Sequence, residues 1–575
     1  MPVHNSEIAD IFNRYADLLE IQGANRFKVR AYRNAALTIS SLAYQINDLL
    51  KQNEDLTELP GIGDDLAAKI RQIVDTGKLD ALAQLEREMP GGIGDLMKIA
   101  GLGPKRVKIL YEKLKIDNID KLKKAAEKGG LSKLEGFGRK TEQNILESIR
   151  RREKSGSLDR IKWVAADEIA GPYVEYLKKS KAIKNMEIAG SYRRRKETVG
   201  DLDILVSAAK SSDIMKRFVG YEEVEKILAE GSTKSAVILK SGLQVDLRVI
   251  ENESYGAALM YFTGSKAHNV KLRTLAIKRK FKLNEYGLFR GDKRIAGKTE
   301  EDMYARLGMK YIEPELREDT GEIEASIKGK LPKLIEIGDI RGDLQSHTKA
   351  SDGKYSLEDM AKGAWKKGYD YLAITDHSKR VTVANGLDEK RLGKLIREID
   401  KLNASLKGFR LLKSVEVDIL KDGSLDLPDE ILKELDIVIC AIHYDLHLSK
   451  AQQTNRVLKA MDNRYFNIFA HPTGRRMPER EPYEIDLEKV MKKALENGCF
   501  LELNAQPDRL DLPSNYCKMA RDMGLKIAIS TDAHSVADLD LMKHGIAQAR
   551  RGWIEKDDVI NTRNWNGLKK LIIRS

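Results

Sequence analysis

Gly190-Ser191-Tyr192-Arg193-Arg194 and, a few residues on, Gly200-Asp201-Leu202-Asp203 read as a turn followed by a strand. The turn offers a hydroxyl and a guanidinium; the strand carries two carboxylates at i and i+2. Side chains alternate across a strand, so Asp201 and Asp203 share one face and Leu202 packs behind them. Two carboxylates that close repel each other unless a divalent cation lies between them, and Mg²⁺ favours one or two carboxylates plus phosphate oxygens. A third acid, Asp246, sits in the alternating run Leu243-Gln244-Val245-Asp246-Leu247-Arg248-Val249 after the turn Lys240-Ser241-Gly242. Three convergent acids suit two-metal phosphoryl or nucleotidyl transfer. A lone Asp-x-Asp reads better as the solvated face of an edge strand. Here the Gly-Ser turn, the basic run Arg193–Lys196 and Asp246 reverse that preference.

Composition sets the frame around this stretch. A chain of 575 residues is too long for one core, so three or more domains are expected. Hydrophobic residues make up 42% and charged ones 33%, the balance of a soluble protein with well-solvated surfaces. A net charge of +13 favours a polyanionic partner. Cys440, Cys499 and Cys517 lie in apolar or helical contexts and read as reduced core residues, not a disulfide framework or zinc knuckle. The amino terminus has no basic-then-apolar signal pattern, and no apolar run reaches membrane-spanning length. A cytoplasmic monomer with no membrane partner is expected.

Amino-terminal to the acids, Ile8, Phe12, Tyr15, Leu18, Leu19, Tyr32, Ala36 and Ile39 recur at helical spacing. Lys28, Arg30 and Arg33 suit a solvated face or a DNA-contacting one equally. Three copies of one short pattern follow: Leu59-Pro60-Gly61-Ile62-Gly63, Ala100-Gly101-Leu102-Gly103 and Glu135-Gly136-Phe137-Gly138. Each opens an amphipathic helix, with Ile70, Leu110 or Ile145 nine positions after its first glycine. This is the helix-hairpin-helix signature. The glycines permit a tight turn that aims backbone N–H groups at a phosphate from a helix amino end. Such contacts position a duplex without reading its sequence. Lys105, Arg106, Arg139 and Lys140 follow two of the turns and should add phosphate contacts.

Beyond Gly338 the rhythm changes to short apolar strands alternating with helices. The strands run Tyr371–Thr375, Leu411–Val417, Ile437–Ile442, Ile468–Ala470, Phe500–Leu503 and Ile527–Ser530. Ligand-type residues stand at their ends: Asp343 and His347 at the first strand's exit, then Asp376-His377, Glu416, His443, His471 and Asp532-Ala533-His534. Repeated βα units with polar strand ends describe a TIM-like (β/α) barrel with a site at its carboxyl mouth. Histidine and carboxylate donors suit a Zn²⁺ or Mn²⁺ cluster, and the chemistry expected there is phosphoester hydrolysis. Lys379 and Arg380 are candidates to fix a phosphate, with a solvated basic pair as the alternative. His268 is read as a DNA-contacting or packing residue, and His447 and His544 as surface or packing residues.

The stretch Gly190–Asp203 resembles the palm signature of the family X DNA polymerases, the DNA polymerase β relatives. Tyr261-Phe262-Thr263-Gly264-Ser265 and Leu283-Asn284-Glu285-Tyr286 match further motifs of that family in order. The resemblance implies Asp201, Asp203 and Asp246 as the catalytic, Mg²⁺- or Mn²⁺-binding triad. It implies Ser191 and Arg194 on the triphosphate of an incoming dNTP, within a nucleotide-binding set that includes Gly190, Gly200 and Gly264. Tyr261 and Phe262 would lie against the sugar, and Asn269 and Arg273 would contact the base and template. An arginine fork suits phosphate oxygens, and an aromatic ring stacks on bases without sequence preference. Gly61 and Gly63 would belong to a domain that binds gapped or nicked DNA, and Gly101, Gly103, Gly136 and Gly138 to the fingers. Lys69 stands where the family places a Schiff-base lysine of a deoxyribose-phosphate lyase. Such a lysine needs a lowered pKa, and Asp64 and Asp65 make its surroundings acidic, so a salt-bridged lysine is the competing reading.

The carboxy-terminal pattern resembles the PHP (polymerase and histidinol phosphatase) domain. Correspondence places metal ligands at His347, Asp352, His377, Glu416, His443, His471, Asp532 and His534, with Glu416 bridging two metals. One departure stands out: the family's His-x-His is Gln345-Ser346-His347 here, and an amide oxygen is a weaker Zn²⁺ ligand than imidazole. Together the two resemblances imply a multidomain chain. Its expected parts are a helical DNA-binding domain over 1–80, fingers over 81–155, an α+β nucleotidyltransferase palm over 156–252 and a thumb over 253–318. A linker over 319–338 and a PHP phosphoesterase over 339–575 complete it. The function implied is gap-filling DNA synthesis in repair with 3′–5′ exonuclease activity, and AP endonuclease or 3′-phosphatase activity as extensions. The alternatives are a PHP hydrolase with a vestigial polymerase, or a DNA-binding scaffold without turnover.

Overall fold

A computed structural model describes residues 5–40, 46–51, 54–59, 61–89, 92–97, 99, 102–139, 141–146, 149, 160–208 and 213–572. Two compact units divide the chain. The first holds Met1–Ile161, Leu205–Lys310 and Glu318–Lys328; the second holds Lys162–Ile204, Tyr311–Arg317 and Gly329–Ser575.

In the first unit, helices Asn5–Gln22 and Arg26–Ser40 pair closely, and one buried cluster runs from Ile8 through Leu66, Leu110 and Phe137 to Ile149. The three residues at the hairpin spacing, Ile70, Leu110 and Ile145, are completely buried. Each therefore anchors its helix from below, leaving the turn at the surface. Gly63 and Gly103 cap the helices Asp64–Thr76 and Pro104–Leu114.

A five-stranded sheet carries the acids. Its strands are β1 (Asn185–Ile188), β2 (Asp201–Ser207), β3 (Val224–Glu230), β4 (Lys234–Leu239) and β5 (Gln244–Ile250), in the order β1-β2-β5-β4-β3. β3, β4 and β5 pair antiparallel, with Ala236 opposite Asp246. Helices Tyr255–Thr263 and Lys266–Lys278 and a three-stranded antiparallel sheet (Lys282–Asn284, Gly287–Arg290, Lys293–Ala296) follow.

The stretch 319–338, expected as a linker, is folded. Helix Glu322–Ile327 packs on the first unit. Glu322 is fully buried there and bonds His268 Nδ1 at 2.6 Å, while Lys271 binds both Asp319 and Glu324 at 2.8 Å. The remainder joins the second unit, with Ile335 N donating to Ile554 O at 3.0 Å and Lys333 N to Glu555 at 2.7 Å. A charge-rich segment reads as solvated; these charges are instead buried in pairs, the condition under which burial is tolerated.

In the second unit, β6 (Gly342–Asp343), β7 (Tyr371–Ile374) and β8 (Arg410–Lys413) form one parallel sheet. β9 (Glu416–Asp418), β10 (Ile439–Ala441), β11 (Ile468–Phe469), β12 (Phe500–Asn504) and β13 (Ile527–Ser530) form another. Parallel bridges from His377 to Glu416 and from Ser346 to Ala533 join their edges into a ring. Only Ser414 and Val415 separate β8 from β9, so the two are halves of one stave. The barrel therefore has seven staves among the described residues, one fewer than a TIM barrel. Strand alternation builds two cores. Tyr371 and Ala373 face an inner cluster with Leu412, Ile439 and Ala528, while Leu372 and Ile374 face the outer helices. Helix Trp565–Ile572 adds Leu568 and Ile572 to the inner cluster.

Candidate active sites

Six of the seven staves deliver a candidate ligand to the same mouth. His347 and Asp352 follow β6, His377 follows β7, Glu416 opens β9, His443 follows β10, His471 follows β11, and Asp532 and His534 follow β13. Glu416 is the hub. Its Oε1 lies 2.9 Å from His471 Nε2 and 3.3 Å from His443 Nε2; its Oε2 lies 3.1 Å from His377 Nδ1 and 3.5 Å from His347 Nε2. Asp532 Oδ1 stands 3.1 Å from His347 Nε2, and Asp352 Oδ2 stands 3.3 Å from His534 Nε2 and 3.5 Å from His377 Nε2. Three overlapping groups have ligand atoms within 4.8 Å of one another: His347 with Asp352, His377 and His534; His377 with Glu416 and His443; His347 with Glu416 and Asp532.

The donors fit divalent cations. His347 is fully buried, yet neither ring nitrogen finds hydrogen-bond geometry, and Glu416 Oε2 and His377 Nδ1 are likewise orphaned. Most buried polar atoms are paired, so a cluster of orphaned ligand-type atoms calls for a partner such as an ion. The electrostatics agree. Burial acts to raise the Glu416 pKa, but His377 and His443 hold the carboxylate well below its ordinary range. Burial pulls His443 down, yet Glu416 and Asp418 push it up to about 10. At His534, burial is likewise outweighed, by Asp352 and Asp532, and its pKa reaches about 9. The cluster thus attracts positive charge strongly: His377, His443 and His534 are all shifted toward their protonated forms, while burial and Arg509 push His471 the other way.

A supporting layer fixes these ligands. Asp418 Oδ1 accepts from His443 N at 3.0 Å and faces its Nδ1 at 3.1 Å, while Arg380 Nε lies 3.1 Å from Oδ2. Asp376, beside His377, accepts from Thr348 N, Thr348 Oγ1 and Ser351 Oγ at 2.8, 2.7 and 2.6 Å, pinning the loop that carries Asp352. Asn504 Nδ2 donates to Asp532 Oδ2 at 3.1 Å. Gln345 is fully buried, and both atoms of its amide lack a hydrogen-bond partner.

Of the two readings left open for Lys379 and Arg380, the structure favours the one without a phosphate: Lys379 pairs with Glu389 at 2.6 Å, Arg380 with Asp418 and Asp445, and neither lines the cavity over the ligands. The cations that line the 480 Å³ cavity over the ligands are Arg476 and Arg509. Both lie in loops after staves, where no local pattern marks them. Asp418 was also missed: an acid two residues past Glu416 on a buried strand looks like part of the ligand set until the histidine it holds is seen.

The acidic strand has a different character. Asp201 is exposed, Leu202 completely buried and Asp203 half-buried, as alternation requires. Gly190 adopts φ +65°, and a Cβ there would stand 3.0 Å from Asp203 Oδ2, so the turn needs glycine on both counts. Ala189 N donates to Asp203 O at 2.8 Å, and Lys196 N to Ser191 O at 3.1 Å, which ties the turn bearing Ser191 and Arg194 to the strand entered through Gly200. Trp163 Nε1 donates to Tyr192 O at 2.9 Å, its ring stacks on Tyr192 at 5.2 Å, and Arg195 sits 4.4 Å over it. Asp246, on β5, accepts from Gln244 Nε2 at 2.8 Å and lies 3.4 Å from Lys234 Nζ.

On the helix pair beyond the sheet, Asn269 Nδ2 donates to Tyr261 O at 2.6 Å and Gly264 O at 3.1 Å, bracing the turn between the helices. Phe262 stacks with Arg248 at 4.5 Å and meets Tyr261 edge-on at 5.1 Å. Arg273 is exposed. His268 is fully buried between Glu322 and Tyr304, a packing role. His544 packs edge-on against Trp163 at 5.7 Å.

At the hairpins, Gly61 and Gly136 adopt φ of +80° and +81°. Gly63, Gly103 and Gly138 do not, and a Cβ on any of these three would meet nothing among the described residues within 4 Å. The fold itself does not require glycine at those three places. All are exposed, as are Lys105 and Arg139; Gly101 and Lys140 lie outside the described residues. Arg33 is held by Asp17 and Glu20 at 2.8 and 2.7 Å. Lys69 is ion-paired to Asp65 and lies 6.0 Å from the Tyr32 ring centre. Burial acts to lower its pKa, but Asp65 and Tyr32 outweigh that, and the net shift is upward.

No described helix is long and apolar enough to cross a membrane. Family models match along the chain: a helix-hairpin-helix domain over 3–79 and a SAM-like helix-hairpin-helix tandem over 93–151. The DNA polymerase beta palm matches 173–273, the DNA polymerase beta thumb 258–318 and the PHP domain 343–506. A relative named DNA polymerase/3′-5′ exonuclease PolX, from Bacillus subtilis (strain 168), is 37% identical over 577 residues, covering 100% of both chains. A probable phosphatase of Thermoanaerobacter sp. (strain X514) is 33% identical over 231 residues, 38% of this chain and 89% of its own. DNA polymerase lambda of Arabidopsis thaliana is 26% identical over 351 residues, 55% of this chain and 62% of its own. The chain belongs to the family X DNA polymerases that carry a carboxy-terminal PHP domain, and is a DNA-binding nucleotidyltransferase joined to a divalent-metal phosphoesterase.

Proposed function

We propose that the protein fills short gaps in DNA during repair and processes the 3′ end with its barrel, acting as a monomer on gapped or nicked duplex. The domain partition expected above, with 319–338 reassigned as folded structure, serves this division of labour. In the polymerase half, Asp201, Asp203 and Asp246 would hold Mg²⁺ or Mn²⁺, which would supply charge neutralisation while the primer 3′-OH attacks the α-phosphate of a dNTP and pyrophosphate leaves. Ser191 and Arg194 grip the triphosphate from a turn already tied to Asp203. Tyr261 and Phe262 bound the sugar, with Asn269 setting their height, and Arg273 faces the template. The hairpin glycines admit the DNA backbone close to helix amino ends, and Lys105 and Arg139 add charge.

In the barrel, His347, Asp352, His377, Glu416, His443, His471, Asp532 and His534 hold Zn²⁺ or Mn²⁺, which would supply an activated water and neutralise phosphate charge. Asp418 keeps His443 oriented through Nδ1, and Arg509 and Arg476 take charge from the phosphodiester. The reaction is 3′–5′ hydrolysis of the strand end. The observation that carries this reading is the ring of acid and imidazole donors around Glu416, on a chain that also holds the acidic strand behind the Gly190 turn. Incubating the protein with a one-nucleotide gap, with and without dNTPs, in Mg²⁺ and then Mn²⁺ tests it. Extension with dNTPs and shortening without them is expected; neither in either metal would sink the proposal.

Lys69 is given a structural role. Its acidic partner and raised pKa hold the amine protonated, the wrong state for Schiff-base attack.

A further inference from the structure

The barrel cavity is not uniformly polar. Alongside the ligands and Arg476 and Arg509, its wall includes Val381, Val383 and Ala384, from the one-turn 3₁₀ helix Thr382–Ala384 and the residue before it. Val381 and Ala384 are buried, but Val383 is 91% exposed, the most exposed large apolar side chain among the described residues. The turn that carries it is firmly braced. Val381 N donates to Ser378 O at 3.0 Å, Gly386 N to Val381 O at 3.1 Å and Leu387 N to His377 O at 2.7 Å. Arg391 clamps Asn385 O and Gly386 O at 2.9 Å and Ala350 O at 2.6 Å. A Cβ on Gly386 would stand 1.9 Å from Ser378 O, so this backbone path is tight. One hydrogen bond of the brace runs directly to the backbone of His377, a metal ligand.

A single exposed valine means little by itself. On the rim of a charged cavity, at the tip of a rigid turn, it defines an apolar edge that a phosphate alone cannot use. A nucleotide combines the two surfaces: an anionic diester, and a base whose faces are apolar. We propose that Val383 is a specificity-determining lip on which the base of the strand's terminal nucleotide rests while its phosphodiester lies among the metal ligands. Arg509, 3.7 Å from Asp532, and the half-exposed Arg476 receive the phosphate charge. The contact is with a base face, so it is indifferent to base identity, as stacking platforms are.

This inference rests on the nuclease reading and is tested so that the two can fail separately. The full chain, loaded with Mn²⁺, is assayed on a single strand with an ordinary 3′ nucleotide, on the same strand ending in an abasic residue, and on the same strand ending in a three-carbon spacer. Val383→Asp should lower kcat/KM about tenfold on the ordinary end and less than about twofold on the two base-free substrates. Metal content should match wild type, and Val383→Leu should retain activity on the ordinary end. Equal losses on all three substrates, or no loss on the ordinary end, would overturn the lip while leaving the nuclease standing. If the wild type cleaves none of the three, the nuclease reading falls and the lip with it.

Discussion

The acid strand and the barrel mouth both present carboxylates to divalent cations, but they are built on opposite plans. In the barrel, Glu416 and His347 are buried, seven donors already converge in overlapping groups and His471 closes on Glu416 beside them. On the strand, Asp201 is exposed and Asp203 half-buried. The barrel pays for a preformed cation hole with buried charge. The strand leaves Asp201 at the surface and Asp203 half-covered, open to a substrate that brings phosphate oxygens of its own. Metals should therefore reside in the barrel between turnovers and arrive at the strand with the nucleotide.

The sharpest blow to that contrast falls on its hub. Glu416→Gln removes the carboxylate shared by two of the metal groups, and nuclease activity should drop to below about 1% with loss of bound metal on elemental analysis. Gap filling should persist. Retention of full metal content would mean that the barrel's affinity lies elsewhere.

Asp418→Asn sharpens the comparison one layer out. The imidazole of His443 loses its charged partner, so metal affinity and nuclease rate should fall about 10- to 100-fold. Chelator titration should show the weaker binding directly, which a loss of global stability would not mimic.

Preformed negative charge also predicts a proton signature. With His443 held near 10 and His534 near 9, both are protonated at pH 8 in the metal-free cluster. Metal binding needs the neutral imidazole, so binding must release protons and tighten as pH rises. Calorimetry in buffers of different ionisation heat measures that release; an apparent enthalpy independent of buffer would refute it.

Smaller effects are expected at the DNA-facing turns. Gly103→Ala should leave the melting temperature within about 1 °C, since φ is −99° and a Cβ meets no neighbour, yet lower DNA affinity about fivefold. The smallest effect belongs to Lys69→Ala: borohydride trapping on an incised abasic site should be absent in both the variant and the parent.

The same contrast explains what could be read in advance. Strand periodicity placed Asp201, Asp203 and Leu202 because alternation is local, and the barrel ligands stood out because each closes a short apolar run. What stayed hidden depends on pairing across long separations. Glu322 is buried because His268 meets it 54 residues away, and nothing near either residue announces that. Arg380 looked free for phosphate until Asp418 and Asp445 claimed it. Arg476 and Arg509 occupy loops, where no periodicity constrains a side chain. The seventh and last stave closes the ring only because β8 runs on into β9.

Separability of the two sites is the claim everything else leans on, and a crossed pair of variants examines it most directly. Full-length Asp203→Ala and His443→Ala are each given 5′-labelled gapped DNA, with dNTPs and then without. Asp203→Ala should lose extension and keep 3′ shortening, and His443→Ala should extend but no longer shorten. Loss of both activities in either variant would contradict two independent sites on one chain.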